Sequence, residues 1–348
     1  MQTHHWRYLM PAPTASGQLK VELQDFHVTE KLGYEPTGQG EHIYLWVQKT
    51  GLNTAFLAEE IAKFARVPLR DVTYAGRKDK YAVTLQWFSV HKPGKAEFDW
   101  SKLAVDGAEV LKAIRHDKKL RTGVLKGNRF VISVRNISDT KALSKRLNYV
   151  EKNGVPNYYG AQRFGDSRYD ARGGNLVLAE KMLNGEEIRN RNKRSMAISA
   201  LRSWLFNEFV SRRIEDGLFN QALNGDIMLL AGSASYFCAD SIDETIKQRL
   251  LSRDIQLSAP LWGQGPLASQ GKALALEQNI ANDHATITLT LEKLGLKQER
   301  RALRLLPENM QWEVQDNLLQ VSFDLPAGAF ATSVIREIVD INQHYEVD

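Results

Sequence analysis

Residues 76–84 read GRKDKYAVT, which sets one carboxylate, Asp79, between Lys78 and Lys80 with Arg77 one step further, in a polar loop flanked by strand-like segments. Neighbouring cations favour the ionised form of a carboxylate, the form that a nucleophile or general base needs. The same cations attract a phosphate backbone. An aspartate in a turn can equally accept an Asx hydrogen bond while its lysines stay in solvent, and the spacing leaves both readings open.

Positive charge also gathers in four runs: Arg115–Arg121 (RHDKKLR), Arg163–Arg172, Arg189–Arg194 (RNRNKR) and Lys297–Arg304 (KQERRALR). Tyr158, Tyr159, Phe164 and Tyr169 lie among or beside them, and interleaved rings and cations suit a single-stranded nucleic acid, the rings stacking bases and the cations meeting phosphates. Each run alone would be an ordinary solvated face.

Other chemistries lose support. GQG at 38–40 and again at 263–265 lacks the third glycine of a dinucleotide fingerprint, Gly271-Lys272 has neither the spacing nor the Ser/Thr of a phosphate loop, and no GxSxG elbow occurs. The eight histidines are scattered and Cys238 is the one cysteine, so no disulfide, CxxC or deaminase-type zinc set is expected. A resident metal is therefore not expected. No run approaches the ~18 apolar residues of a membrane span, and the N-terminal segment lacks a signal-peptide core, which with the lone cysteine points to a cytoplasmic protein.

The elements that must carry these residues follow from periodicity. Alternation predicts strands at 21–26, 43–47, 72–74, 83–90, 109–116 and 129–136. Leu57, Ile61 and Phe64 predict a helix over 53–66 capped by Asn53 or Thr54, and a second helix is expected at 141–152, with Asp139 or Thr140 before it and Gly154 after. From about residue 155 helical patterns dominate (176–183, 195–214, 242–251, 267–280), and beyond 300 strands return as a hairpin turning at Asp316-Asn317, followed by a helix near Ala331. The expected architecture is an α+β sheet domain interrupted by a largely helical insertion. With 348 residues, 43% hydrophobic and 25% charged, two domains fit, and 46 Lys+Arg against 41 Asp+Glu give a net charge of only +5. The total says little, so the clustering has to carry any charge argument.

GRKDKYAVTLQWFSV, PNYYGAQRFGDSR and FDLPAGAFATSVIRE resemble the three signature blocks of the TruD family of tRNA pseudouridine synthases; GNRFVISVRN and LQDFHVTEKLG resemble two more, and the blocks stand in family order along nearly the whole chain. The resemblance implies an isomerase that detaches a uridine base in tRNA, turns it and rejoins it through carbon, at uridine 13 of the D arm. It implies Asp79 as the catalytic aspartate and Lys20 as its basic partner. Phe26, Asn128 and Phe330, with Phe130 in the same block as Asn128, are implied to hold the target base. The implied fold is a mixed, mainly antiparallel sheet domain of residues 1–154 and 305–348, with a helical α/β insertion at 155–304 peculiar to this branch. No cofactor, metal, membrane or obligate protein partner is implied; the partner is tRNA.

The residue types suit that task, because a uridine within folded RNA must be flipped out to reach a carboxylate, a ring can hold the extruded base, and an amide both donates and accepts. Asp79 could add to the ribose C1', add to C6 of the base, or take the C2' proton. Lys78, Lys80, Arg163, Arg191, Lys193 and Arg194 are the cations expected to contact RNA, and the basic runs in 163–194 and 297–304 are expected to line a cleft between the two domains. Taken singly, Phe26 and Phe330 read as core residues and Asn128 as a turn residue. Arg77 and the Lys80-Tyr81 pair depart from the family pattern outside its core motif. A non-catalytic RNA-binding or RNA-chaperone protein on the same scaffold is the alternative. A metal-dependent nuclease would need clustered carboxylates, which the sequence lacks near its basic loops.

Overall fold

A computed structural model describes residues 1–3, 5–94, 97–165 and 172–342. His4, and Arg168 and Tyr169 of the Arg163–Arg172 run, lie outside them. In chain order the elements are β1 (Ser16–Leu19), β2 (Phe26–Leu32), β3 (His42–Thr50), α1 (Thr54–Ala65), β4 (Val72–Tyr74), β5 (Val83–His91), β6 (Ala108–His116), β7 (Leu125–Arg135) and α2 (Leu143–Asn153). There follow β8 (Val155–Pro156), α3 (Ala161–Phe164), α4 (Gly174–Leu183), α5 (Arg191–Glu215), β9 (Asp226–Leu230), β10 (Tyr236–Ala239), α6 (Glu244–Leu251), β11 (Ile255–Leu261), α7 (Gly271–Asp283) and α8 (Ala285–Lys293). The chain ends with β12 (Glu299–Ala302), β13 (Arg304–Leu305), β14 (Glu308–Gln315), β15 (Leu318–Pro326), α9 (Ala331–Ile338) and β16 (Asp340–Asn342).

The residues pack as two compact units, one of residues 13–152, 307–329 and 338–348, the other of 1–12, 153–306 and 330–337. The first holds a ten-stranded mixed sheet with the central order β14-β15-β7-β2-β5-β3-β6, to which β1, β4 and β16 attach. Neighbours in that central order are antiparallel except β2 and β5. On one face, Ile43, Leu45 and Val47 of β3 and Phe88 and Val90 of β5 bury against Leu57, Ala58, Ile61, Ala62 and Ala65 of α1, a stripe at the spacing of a single helix side. α1 ends at Arg66, whose left-handed backbone (φ 52°) caps the last turn before Pro68.

The strand expected over 21–26 is corrected. Val21 is exposed, Leu23–Asp25 form a 3₁₀ turn, and β2 begins only at Phe26. The cause is Asp25: its carboxylate takes Glu22 N at 2.8 Å and Arg135 Nε at 2.9 and 3.0 Å, a buried local network that outcompetes extension. Because this turn fixes where Phe26 enters the sheet, Asp25→Ala is expected to lower stability by about 2 kcal/mol through the orphaned donors. Urea unfolding checks this, and a shift below about 0.5 kcal/mol would show the network idle.

The second unit is less helical than its sequence pattern suggests, since it also contains the sheet β10-β9-β11-β12. α5, with Ala197, Leu201, Trp204, Leu205, Phe206 and Phe209 buried, is its central helix. Arg213 of α5 grips Asp226 of β9 through both guanidinium nitrogens (2.7 and 2.8 Å) in a fully buried pair. The N-terminal residues belong to this unit: Trp6 packs on Tyr158 and Phe164, and its indole donates to Glu208 at 2.7 Å. Among the described residues no helix is long and apolar enough to cross a membrane.

Candidate active site

β2 presents Phe26, Val28 and Glu30 on one side of the sheet; β7 presents Asn128, Phe130 and Ile132; β5 presents Thr84 and Gln86; and β3 presents Val47 and Lys49. The registers Val28↔Phe130, Glu30↔Asn128, Val28↔Thr84 and Lys49↔Thr84 place them on the same face. That face is apolar under α1 and turns polar beyond it, where the loop containing Asp79 lies.

The loop is pinned from four elements. Lys78 N donates to Thr54 Oγ1 in the first turn of α1 (3.0 Å), and Thr54 Oγ1 donates in turn to Gln86 Oε1 (3.1 Å). Gln86 Nε2 donates to Gly76 O at 2.7 Å. The Lys49 ammonium, fully buried, donates to Asp79 O and to Leu52 O, each at 2.8 Å. Lys78 Nζ stands 2.5 Å from Glu30 Oε1, while Glu30 Oε2 accepts from Trp87 N at 2.8 Å. Burial pushes the Glu30 carboxyl above its ordinary pKa against the opposing pull of Lys78. Burial likewise pulls Lys49 down to about 8, with Asp79 and Glu30 resisting and Lys78 assisting. A loop held at its backbone by buried, hydrogen-bonded side chains keeps one carboxylate in one place.

That carboxylate is paired, and its partner is not one of its sequence neighbours. Lys20 Nζ donates to Asp79 Oδ2 at 2.9 Å from 59 residues earlier in the chain, with the Asp79 side chain 19% exposed and Lys20 11%. The pair is therefore shielded yet reachable. Lys20 has a left-handed backbone (φ 60°), a conformation that costs a non-glycine residue about 1 kcal/mol or more and is kept where a side chain must be aimed. Its ammonium also lies 4.4 Å from the centre of the Phe26 ring, which meets Phe130 edge-on at 6.1 Å. Asn128 Oδ1 is buried and finds no donor among the described residues. A donor brought by a ligand would relieve an orphaned acceptor of this kind, which costs about 1–3 kcal/mol.

Lys20, Phe26, Asp79, Asn128 and Phe130 thus share the sheet unit. Of the cations beside Asp79 in sequence, Lys78 turns inward to Glu30, with its side chain only 10% exposed, while Lys80 Nζ lies 5.5 Å from the Tyr81 ring centre and Arg77 is exposed. Lys78 is therefore a poor RNA contact, because its charge is already spent on a buried carboxylate. Phe330 belongs to the other unit, where it meets Tyr159 edge-on at 5.6 Å and Arg163 at 5.6 Å. Arg191, Lys193 and Arg194 lie exposed in the first turn of α5, which starts four residues earlier than its apolar pattern because Asn190 caps it by accepting from Lys193 N (3.0 Å). The sequence pattern did not single out Glu30, Lys49, Thr54 and Gln86. Their signal was a polar residue falling on the inward side of an alternating strand, or at a helix start.

A family model described as tRNA pseudouridine synthase D (TruD) matches residues 4–186 and 186–338. The chain is 64% identical over 341 residues to the tRNA pseudouridine synthase D of Pseudoalteromonas atlantica, which covers 98% of this chain and 97% of the relative. It is 49% identical over 336 residues to that of Aeromonas hydrophila, with 97% and 94% covered. A crystal structure described as a putative tRNA pseudouridine synthase D (TruD) from Methanosarcina mazei matches with a TM-score of 0.72 at 22% identity over 96% of this chain and 95% of that one, a likeness of fold.

Proposed function

The chain belongs to the TruD family of tRNA pseudouridine synthases, and on that premise we propose that it isomerises a uridine in tRNA to pseudouridine, with Asp79 acting on a flipped-out nucleotide. The observation that carries the assignment is the Lys20–Asp79 pair, anchored at its backbone by buried side chains and set beside the Phe26 ring. In the reaction the C1'–N1 bond breaks, the freed uracil turns, C1' bonds to C5, and the C5 proton is lost while N1 gains one. Asp79 serves whether it adds to C1', adds to C6 or takes the C2' proton, and none of these routes needs a redox partner. Lys20 orients the carboxylate and then meets the negative charge that builds on the departing uracil as the C1'–N1 bond breaks. Phe26 and Phe130 supply a ring face and edge to the extruded base, and Asn128 supplies an acceptor for its N3–H or a ribose hydroxyl.

The family resemblance directs the activity to uridine 13 in the D arm. Catalysis is assigned to residues 1–154 and 305–348, and contact with the rest of the tRNA to the insertion at 155–304. Three exposed cations in the first turn of α5 oppose that helix's own dipole, a cost that RNA phosphates offset. A tRNA substrate supports a cytoplasmic location for the enzyme, and the reaction as drawn requires no protein partner.

The test is to incubate the protein with unmodified tRNA transcripts and map pseudouridine chemically. One modified position in the D arm is expected. Transcripts that bind but stay unmodified would leave an RNA-binding protein instead.

A further inference from the structure

Tyr159 carries two guanidinium groups. Arg301 Cζ lies 4.2 Å from its ring centre and Arg163 Cζ 5.3 Å, while Arg163 is also 5.6 Å from the ring centre of Phe330 and Arg301 5.6 Å from that of Phe206. The platform is rigid: Tyr159 N donates to Asn207 Oδ1 at 2.9 Å, Asn207 Nδ2 returns a bond to Tyr159 O at 3.0 Å, and Asn207 is fully buried. Hydrogen bonds to neutral groups help to hold both arginines in place. Arg163 Nη1 donates to the Ser199 hydroxyl at 3.0 Å, and Arg301 Nη2 to Asn157 Oδ1 at 2.7 Å.

Two like charges on one ring repel, and burial adds to the cost. Arg301 is drawn below its ordinary pKa first by desolvation, with Arg163's charge pushing the same way and Tyr159 opposing. Arg163 has no carboxylate partner among the described residues, and its Nε is buried without an acceptor. Cation–π attraction of about 0.5–2 kcal/mol per contact does not neutralise charge. Arg163, Arg301 and Phe330 are each only half-buried, so a ligand can approach them.

We propose that Arg163 and Arg301, seated together on Tyr159 beside Phe330, form a binding site for one backbone phosphate of the RNA substrate. The assignment rests on the functional reading above and adds the ligand to it. A guanidinium fork matches a phosphate geometrically, and a ring beside it supplies the stacking face that a nucleotide also needs. Thr332, whose hydroxyl is buried without a partner among the described residues, adds a donor two residues along the chain from Phe330. Gly160 lies against the same group: a Cβ there would strike Thr332 Oγ1 while only touching the Phe330 ring, so a larger residue at 160 would push the Thr332 hydroxyl aside.

The experiment measures the affinity of an unmodified tRNA transcript across a salt series for the wild type, Arg163→Gln and Arg163→Lys. Arg163→Gln is expected to bind about tenfold more weakly and to lose about one phosphate's worth of salt slope, ~0.7–0.9 in log K against log salt. Arg163→Lys should keep most of that slope while losing affinity. Single methylphosphonate linkages walked along the D arm should then reveal one position that weakens wild-type binding and adds nothing to the loss in Arg163→Gln.

A wild-type salt slope in a correctly folded Arg163→Gln overturns the proposal. So does a D arm in which no single linkage matters to the wild type, a result that does not depend on any variant folding. If instead the wild type modifies no tRNA at all, the functional reading fails, and that outcome is read separately by the pseudouridine map.

Discussion

Asp79→Asn is expected to reduce pseudouridine formation by at least about 10⁴-fold while leaving tRNA affinity within a few-fold of wild type. The substitution keeps the shape and leaves an amide oxygen for the Lys20 ammonium now 2.9 Å from the carboxylate. It removes what each of the three routes requires, an oxygen able to add to carbon or accept a proton. The loop should not move, because its anchors are Lys49 on the Asp79 carbonyl, Thr54 on Lys78 N and Gln86 on the Gly76 carbonyl, and none of them touches the substituted group. Unmodified D-arm transcript is incubated with each protein under single-turnover conditions and pseudouridine is counted. A rate within tenfold of wild type sinks the assignment of Asp79, and a parallel collapse of affinity would show that its role is to bind.

The loop holding Asp79 was legible because glycine and a run of charges punctuate two strands, and β3, β5, α1 and the Asp316-Asn317 hairpin follow from plain alternation or a 3.6-residue period. What surrounds Asp79 was legible only in part: the family resemblance pointed to Lys20, which does pair with it, but residue patterns alone did not. The cations adjacent in sequence looked like its electrostatic environment, yet a loop only has to place one side chain inward, and the partner came from Lys20 through a strained backbone. Lys49 and Glu30 did leave a trace. Ile43, Leu45, Val47, Lys49 and Phe26, Val28, Glu30 are unbroken inward registers that end in a charge, and a buried charge at the end of an apolar row requires a partner. The sheet in the second unit escaped because DIMLL and IQLSAPL are short apolar runs that periodicity does not separate from buried helix. The strand expected at 21–26 failed for a local reason, the side-chain bonds of Asp25.

Lys49→Met separates what the buried lysine does for stability from what it does for the loop. Met fits the space but leaves Asp79 O and Leu52 O without their donor, at about 1–3 kcal/mol each. Against that, it removes an ammonium whose charge is costly to bury. The folded pKa of about 8 lies below the unfolded 10.5, so the unfolded chain binds more protons between those values and stability rises with pH across that window. The penalty is fully present below pH 8 and relieved toward 10.5, a swing of about 3 kcal/mol. The groups facing Lys49 are Asp79, Lys78 and Glu30, and they remain in the variant. At pH 7 the two effects largely offset and the variant should be only modestly less stable. By pH 10 the wild type has gained and the variant has not, so the gap in urea-unfolding free energy should widen by up to about 3 kcal/mol. Activity at pH 7 should nevertheless fall about 100-fold, because a carboxylate displaced by about 1 Å loses its alignment with the nucleotide. A stability gap that stays constant from pH 7 to 10 would show that Lys49 does not titrate in this window, and wild-type activity in Lys49→Met would show that Asp79 keeps its position without the lysine.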